Sequence, residues 1–327
     1  MNEYVIPIDI VPHSDIGHVG AKAAVLGTLL RAGYPVPPGL CVTTDAFGLA
    51  IQPRAREINA ITQKHDLDIA AEASSASKSI AELLTDLQVP ATVISALREA
   101  LPAINPKQRP LAVRSSATAE DGTNVSLAGQ YNSVLGVYSQ DAIEGAIVSV
   151  WRSFFSPNAL VARQELRGND SMAVLIQPVI EAECAGVCFS MDPVQQCRDL
   201  IVVNAAWGLG TAVVDGLAAS DTTWLLRDGF AIEANRVAEK TAQTALDSNG
   251  GLKRVPVAKE RRRAACLPER WLQRVAQFGV DTELELGRPQ DVEWAICDRQ
   301  IWLLQSCPIT GLPEGMAHTH HSPVQWE

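Results

Sequence analysis

The sequence is poor in positive charge and in long apolar runs, and each shortage excludes a class of protein. It has 27 lysines and arginines against 37 aspartates and glutamates, a formal net charge of −10. Because a nucleic-acid backbone requires a basic face, this balance argues against nucleic acid as a general partner, while a small polyanion needs only local cations. No run approaches the roughly 18 apolar residues of a membrane span, and the N-terminus lacks a secretory pattern.

The cysteines show no sign of a disulfide framework. Seven of them stand at 41, 184, 188, 197, 266, 297 and 307. An odd number at scattered positions indicates reduced thiols and predicts a cytoplasmic protein, and the spacing of 184, 188 and 197 matches no common zinc pattern. With 327 residues, 47% of them hydrophobic, the chain is long enough for two domains or one two-lobed domain.

The stretch LAVRSSATAEDG, residues 111 to 122, places Arg114 between an apolar run and several hydroxyl residues. Such residues are common in ordinary turns. They also suit an anion site, because guanidinium, hydroxyl and backbone amide groups all donate hydrogen bonds to a phosphate. The residues alone leave both interpretations open. Another cation, Lys22, lies near the start of the helix predicted in GAKAAVLGTLLRAG, which Gly33 ends.

The remaining pattern predicts a mixture of helices and strands. Residues 51 to 105 have apolar residues at helical spacing, and DAIEGAIVSVWRSFFSPNALVARQEL is typical of one long amphipathic helix. A hairpin is predicted in TTWLLRDGFAIEA, with its turn at Asp228 and Gly229. Further strands are predicted in GLCVTT, QYNSVLGVY, MAVLIQPVI, AGVCFSMDP and DLIVVNAAWGLG. The basic segment GGLKRVPVAKERRRAACLPERW is predicted to be an irregular, mobile surface loop with solvated charges.

Near the end, DVEWAICDRQIWLLQS predicts a second hairpin that carries two acidic residues. Asp291 and Glu293 are two apart on a strand, so both side chains point to one face. Gln305, in the following strand, can lie opposite them across a hairpin closed at CDRQ. Two carboxylates and an amide oxygen are hard ligands that suit Mg²⁺ bound to nucleotide phosphates. A solvated acidic face explains the same pair equally well.

Six stretches of the sequence, taken together, form a recognisable series. They are GAKAAVLG, VRSSATAED, LAGQYNSVLGV, IQPVIEAECAGVCFSMDP, NAAWGLGTAVVDG and PQDVEWAI with IWLLQSCPIT. In order and approximate spacing they resemble the ATP-binding domain of phosphoenolpyruvate synthase, pyruvate phosphate dikinase and rifampicin phosphotransferase, over about residues 10 to 312. One stretch alone would be weak evidence, whereas six in order are specific.

The resemblance implies an α+β fold of the ATP-grasp type, with two lobes and the nucleotide between them. The N-terminal lobe is expected at residues 1–184, the C-terminal lobe with the metal-ligand strands at 185–313, and a tail at 314–327. Residue by residue, it implies the following site, with ATP and Mg²⁺ as cofactors. Lys22 and Arg114 resemble the catalytic cations that hold the phosphates. The hinge strand at the adenine corresponds to Gln177, Pro178 and Val179, and further nucleotide contacts correspond to Gly129, Gln130 and Glu183. The metal ligands correspond to Glu293 and Gln305, with Asp291 beside them.

The resemblance also implies a reaction. In the family, the β-phosphoryl group of ATP passes to a histidine on a swivelling domain, leaving AMP and phosphate. None of the histidines at 13, 18, 65, 318, 320 and 321 has the Gly-rich context of that acceptor. We therefore expect the histidine on a separate chain or on a domain absent from this sequence. No nucleic acid or membrane partner is expected.

The sequence departs from the family pattern at two positions. Cys307 stands in QSCP, where the family has an arginine that helps hold the transferring phosphates, and Thr211 replaces the usual acidic residue after WGLG. Losing a cation there weakens transition-state stabilisation. Two alternatives to the phosphotransferase component therefore stay open: a stand-alone ATP-grasp kinase or ligase acting directly on a small molecule, and a nucleotide-binding subunit without catalysis.

Overall fold

The computed structural model describes residues 3–119, 130–166, 170–211, 219–313 and 316. Its chain divides into two compact units, one formed by residues 1–28 and 38–179 and the other by residues 29–37 and 180–327. Both units contain helices and a sheet, so the predicted α+β class is confirmed. In the described ranges, no helix is long and apolar enough to cross a membrane.

The first unit contains an antiparallel five-stranded sheet in the order β1-β2-β5-β3-β4. Its strands are β1 (Val5–Pro7), β2 (Leu40–Val42), β3 (Leu111–Ala117), β4 (Ser133–Val137) and β5 (Met172–Pro178). Its helices are α1 (Ile16–Arg31, whose last three residues belong to the second unit), α2 (Thr44–Ile51), α3 (Ala55–Lys64), α4 (Ala70–Leu83), α5 (Ala91–Ile104), α6 (Gln140–Ser153) and α7 (Pro157–Leu166). The helices from α2 to α5 confirm the helical character predicted between residues 51 and 105.

The sheet of this unit has two chemically different faces. Along β3, Leu111, Val113 and Ala117 join the buried hydrophobic core, together with Val174 and Ile176 of β5. Because side chains alternate along a strand, the residues between them point to the opposite face. Arg114 lies on that second face, so the core helices do not cover it.

The long helix predicted over residues 141 to 166 is wrong, because two helices occupy this stretch. Helix α6 begins after Ser139, whose hydroxyl caps the amide of Ala142 at 3.2 Å, and ends at Ser153. Pro157 then opens α7, and Ser156 accepts a hydrogen bond from the amide of Ala159 at 3.3 Å. A proline disfavours helical geometry in the residue before it and is well suited to a first turn, which explains the break.

The second unit contains a six-stranded antiparallel sheet in the order β13-β12-β6-β7-β8-β9 and a separate hairpin of β10 and β11. Its strands are β6 (Cys184–Phe189), β7 (Leu200–Trp207), β8 (Asp221–Leu226), β9 (Ile232–Arg236), β10 (Ala242–Leu246), β11 (Leu252–Pro256), β12 (Gln290–Cys297) and β13 (Gln300–Pro308). Helix α8 (Glu269–Leu286) ends at Gly287, whose φ of 73° is the left-handed value that glycine adopts without strain. The β8–β9 hairpin turns near Gly229, as predicted.

Helix α8 covers one face of this sheet. A Cβ placed on Gly279 of α8 would lie 2.6 Å from Sγ of Cys188, so the helix and β6 approach closely there. On the same helix, the fully buried carboxylate of Glu283 is paired with Arg227 at 3.0 Å and Arg198 at 3.3 Å. The two arginines of the same unit compensate the buried negative charge, which would otherwise destabilise the fold. We therefore assign it to stability.

The prediction of an irregular, mobile loop over residues 250 to 271 is wrong. Strand β11 pairs with β10 over five residue pairs. After it, the guanidinium of Arg261 stacks on the Trp207 ring, 3.9 Å from the centroid, and the indole Nε1 donates to the Arg261 carbonyl at 3.1 Å. Exposed cations are compatible with regular structure when their backbone is paired and one of them stacks on an aromatic ring.

Candidate functional site

In the first unit, a turn in α1 is held in place by β3. Helix α1 is interrupted at Gly20, where φ is 75° and ψ is 167°. The hydroxyl of Ser116 accepts a hydrogen bond from the amide of Ala23 at 3.1 Å and donates one to the carbonyl of Val19 at 2.8 Å. A Cβ on Gly20 would lie only 1.8 Å from the Ser116 carbonyl oxygen. Ser116 thus caps the resumed helix from another element, and only glycine fits the turn.

Both predicted cations lie beside this turn. Lys22 follows Gly20 by two residues, in the first turn of the resumed helix, and is 8% exposed. Arg114 precedes Ser116 by two residues on β3, so it shares the face against which the turn packs. The structure therefore brings Lys22 and Arg114 to one side of the first unit's sheet, next to helical amides that favour anions.

The predicted hinge residues end β5 on the same side. Gln177 pairs with Ala112 of β3, so its side chain is on the face of Arg114, and it is 4% exposed. The amide of Val179 donates to the Pro110 carbonyl at 2.8 Å and is committed there. Within the described ranges, the Val179 carbonyl and the amide of Glu181 make no backbone hydrogen bond. One acceptor and one donor two residues apart thus remain for a ligand.

The three further nucleotide contacts predicted from the resemblance are Gly129, Gln130 and Glu183, and the structure describes only the last two. Gly129 lies outside the described residues, as does the end of the opening motif from Glu120 onward. Gln130 is half-buried and lies three residues ahead of β4. Glu183 is exposed, and its backbone is used inside the second unit: its amide donates to the Ile296 carbonyl at 2.9 Å, and its carbonyl accepts from Gly208 at 3.1 Å. Only its carboxylate is left to contact a ligand.

In the second unit, the hairpin of β12 and β13 carries the predicted metal ligands. Glu293 lies directly opposite Gln305, and Asp291 lies directly opposite Cys307. The hairpin turns at Asp298 and Arg299, whose φ values of 52° and 60° are left-handed. The predicted hairpin and the same-face arrangement of the two carboxylates and the amide are therefore confirmed. A register shift follows Glu293, immediately beyond this group.

Asp291 is in an unfavourable environment for a charge. Its Oδ1 atom is buried and has no hydrogen-bond partner among the described residues. Burial, and secondarily the negative charge of Glu293, raise the pKa of Asp291 to about 7. A bound cation beside such a buried carboxyl group would stabilise its ionised form. Beside it, Nε2 of Gln305 lies 3.2 Å from Sγ of Cys307.

These groups form an incomplete metal site. Among the described residues, no three or more histidine, cysteine, aspartate or glutamate side chains are arranged to hold a metal ion alone. Mg²⁺ is commonly bound by one or two carboxylates with substrate phosphates and water completing its shell. Glu293, Gln305 and Asp291 supply oxygen ligands of that kind. Their chemistry therefore fits Mg²⁺ that arrives with a phosphate, and it does not fit zinc.

Polar residues that the sequence analysis did not single out continue this face of the sheet. Through the register, Glu293 is followed across the strands by Val187, Asn204, Thr222 and finally Arg236. Nδ2 of Asn204 donates to the Thr222 hydroxyl at 3.0 Å. The sequence carries no signal for this row, because the three polar residues lie on three different strands and only the register aligns them. Helix α8 packs against the other face.

The comparisons with known proteins agree over almost the whole chain. Residues 16–326 match the model of the pyruvate phosphate dikinase AMP/ATP-binding domain. A probable phosphoenolpyruvate synthase of Methanocaldococcus jannaschii is 31% identical over 96% of this chain and 27% of its own length. A rifampicin phosphotransferase of Streptomyces sviceus is 32% identical over 97% of this chain and 37% of its own length.

A third relative has a different name. The prodigiosin synthesizing transferase PigC of Serratia marcescens is 31% identical over 94% of this chain and 33% of its own length. The chain thus spans between 27% and 37% of the length of these three curated relatives. The family-model match covers far more than half of the chain. The chain belongs to the family of pyruvate phosphate dikinase AMP/ATP-binding domains.

Proposed function

We propose that this chain is the nucleotide-binding part of an ATP-dependent phosphotransferase, which binds Mg-ATP and passes the β-phosphoryl group to a histidine outside the matched region. The observation that carries the proposal is the pairing of Glu293 with Gln305, beside Asp291, whose buried Oδ1 has no hydrogen-bond partner in the described part of the chain. The two units are proposed to be the lobes of the ATP-grasp fold; they divide after residue 179, near the boundary expected at residue 184, and residues 29–37 belong to the second unit.

Lys22 and Arg114 are proposed to hold the phosphates. Phosphoryl transfer requires positioning and neutralisation of charge more than covalent participation by the protein. Arg114 offers a planar fork of donors, and Lys22 offers a point charge beside the amides of the turn at Gly20. The face shared by Arg114 and the Ser116-held turn supports this assignment.

Glu293 and Gln305 are proposed to hold Mg²⁺, with Asp291 as a further oxygen ligand. When bound, the metal would neutralise the phosphate oxygens and orient the transferring group. The chain's part is to fix the carboxylate and the amide on one rigid hairpin. Strand β12, which carries Glu293, pairs with β13 on one side and with β6 on the other, whereas β13, which carries Gln305, is the edge strand of the sheet and pairs with β12.

The segment after β5 is proposed to bind the adenine. The adenine amino group needs an acceptor and its ring nitrogen needs a donor, which the Val179 carbonyl and the Glu181 amide would supply. Gln177 and Pro178 would line this contact, and Gly129, Gln130 and the Glu183 carboxylate are proposed as further nucleotide contacts.

The final acceptor is proposed to be determined outside this region. Three relatives that share the matched part are named for three different activities. The part that they share with this chain is the nucleotide domain. The proposed partner is therefore the chain or domain that bears the accepting histidine. We place the protein in the cytoplasm, because all seven cysteines are free thiols and the reaction uses ATP.

Calorimetry with ATP, with and without Mg²⁺, tests this proposal. We expect tight ATP binding only with Mg²⁺. In Glu293→Ala, most of the gain in ATP affinity that Mg²⁺ gives should be lost. Glu239→Ala, an exposed glutamate in the same unit, is the control for removing one negative charge. Equal ATP affinity of the wild type and Glu293→Ala at saturating Mg²⁺ would remove the metal assignment.

A further inference from the structure

Cys307 has a specific contact on the face that carries the proposed metal ligands. It lies two residues after Gln305 on β13, and both side chains point to the face of Asp291 and Glu293. Nε2 of Gln305 donates to Sγ of Cys307 at 3.2 Å. Cys307 is half-buried, so the contact is partly shielded from competing water.

The contact sets the orientation of the Gln305 side-chain amide. A glutamine amide has a donor nitrogen and an acceptor oxygen of nearly equal size, and a half-turn of the amide exchanges them. Only the oxygen binds a metal ion. With Nε2 held at the sulfur of Cys307, Oε1 is directed away from Cys307 on the hairpin face where Glu293 is the directly opposite residue.

We propose that Cys307 is a positioning residue for the metal site: its sulfur accepts the Gln305 amide hydrogen and thereby presents Oε1 as a ligand. The inference rests on the proposed binding of Mg²⁺ by Glu293 and Gln305. Cys307 contributes no bond to the metal. Side chains that hold metal ligands in orientation commonly change metal affinity by about 10- to 100-fold when removed.

The test compares Cys307→Ala with Cys307→Ser. Alanine removes the acceptor, whereas a serine hydroxyl accepts the same hydrogen bond. We expect the Mg²⁺ concentration for half-maximal ATP binding to rise about tenfold in Cys307→Ala and to return to within about twofold of the wild type in Cys307→Ser. ATP binding without metal should be the same in all three proteins. Cys297→Ala, another half-buried cysteine of this hairpin, is the matched control and should resemble the wild type.

The outcomes separate this proposal from the proposed function. If Glu293→Ala loses metal-dependent binding while Cys307→Ala keeps it unchanged, positioning by Cys307 is wrong and the nucleotide site stands. If Glu293→Ala has no effect either, the metal site itself is wrong. If Cys307→Ser is as impaired as Cys307→Ala, the hydrogen bond is not what matters, and the positioning proposal fails.

A further measurement guards against misfolding. The side-chain amide signals of Gln305 in an ¹⁵N spectrum, assigned with Gln305→Glu, should shift in Cys307→Ala more than in Cys307→Ser while the backbone signals stay in place. If Cys307→Val and Cys307→Ala leave the Gln305 signals unmoved, the proposal is refuted.

Discussion

Replacing Asp291 by asparagine should stabilise the metal-free protein at high pH and leave it nearly unchanged at low pH. The pKa of Asp291 rises from 3.8 to about 7 on folding, chiefly because of burial and then because of Glu293. Between these two values the folded protein holds a proton that the unfolded chain has lost. Stability that is present at low pH is therefore lost as the pH rises through this window, and the loss is complete above about pH 7.

The shift sets an upper limit on the effect. It spans about three pH units, and each unit corresponds to about 1.4 kcal/mol, so the charged carboxylate costs up to about 4 kcal/mol above pH 7. Asparagine has nearly the shape of the protonated acid and cannot ionise. We expect Asp291→Asn to gain about 2 to 4 kcal/mol over the wild type at about pH 8.5 and less than about 1 kcal/mol at about pH 4.

Urea unfolding at these two pH values, in a chelator, measures the difference directly. Asp298→Asn, at the exposed turn of the same hairpin, controls for the loss of one negative charge. Glu293→Gln should make the stability loss smaller than in the wild type and complete at a lower pH, because it removes the second cause of the raised pKa of Asp291. A stability difference between Asp291→Asn and the wild type that is the same at both pH values would show that Asp291 does not titrate with a raised pKa.

The remaining predictions concern the first unit. Lys22→Ala and Arg114→Ala should each weaken ATP binding by about tenfold or more in calorimetry and leave adenosine binding almost unchanged, because only charge-assisted contacts to phosphate are lost. Equal losses for both ligands would make these residues structural. Gly20→Ala should lower the free energy of unfolding by at least about 2 kcal/mol in urea titration, because the added Cβ meets the Ser116 carbonyl oxygen in a left-handed backbone region. A neutral result would mean that the turn rearranges freely.

The hairpin of β12 and β13 is the part of the site that the sequence predicts best. Its two strands are consecutive, its turn residues are compatible with left-handed φ values, and the alternation fixes which side chains share a face. Local pattern predicts the hairpin and the shared face, but a regular hairpin closed at CDRQ would pair Glu293 with Leu304. The register shift after Glu293 brings Gln305 opposite it instead, and the sequence carries no signal for that shift. The buried state of Asp291 Oδ1 is not predictable from local pattern either, because it depends on packing from outside the hairpin.

The arrangement around Lys22 and Arg114 in the first unit depends on long-range contacts. Ser116 and Ala23 are 93 residues apart in sequence, and only the folded chain shows that one caps the other. The sequence indicated Lys22 and Arg114 separately, and the family resemblance connected them. The break between α6 and α7 was missed because the apolar spacing continues across it, into the buried Phe154 and Phe155. Here the local backbone preference of Pro157 outweighed the pattern.

The fate of the β-phosphoryl group of ATP decides whether this chain donates that group to a histidine. The chain is incubated with Mg²⁺, ATP radiolabelled at the β-phosphate, and the part of the Methanocaldococcus jannaschii relative that lies outside the matched region. We expect acid-labile label on a histidine of that partner, AMP released in equal amount, and neither product with Glu293→Ala. Release of ADP, or transfer of label only from the γ-phosphate, would contradict the proposed transfer.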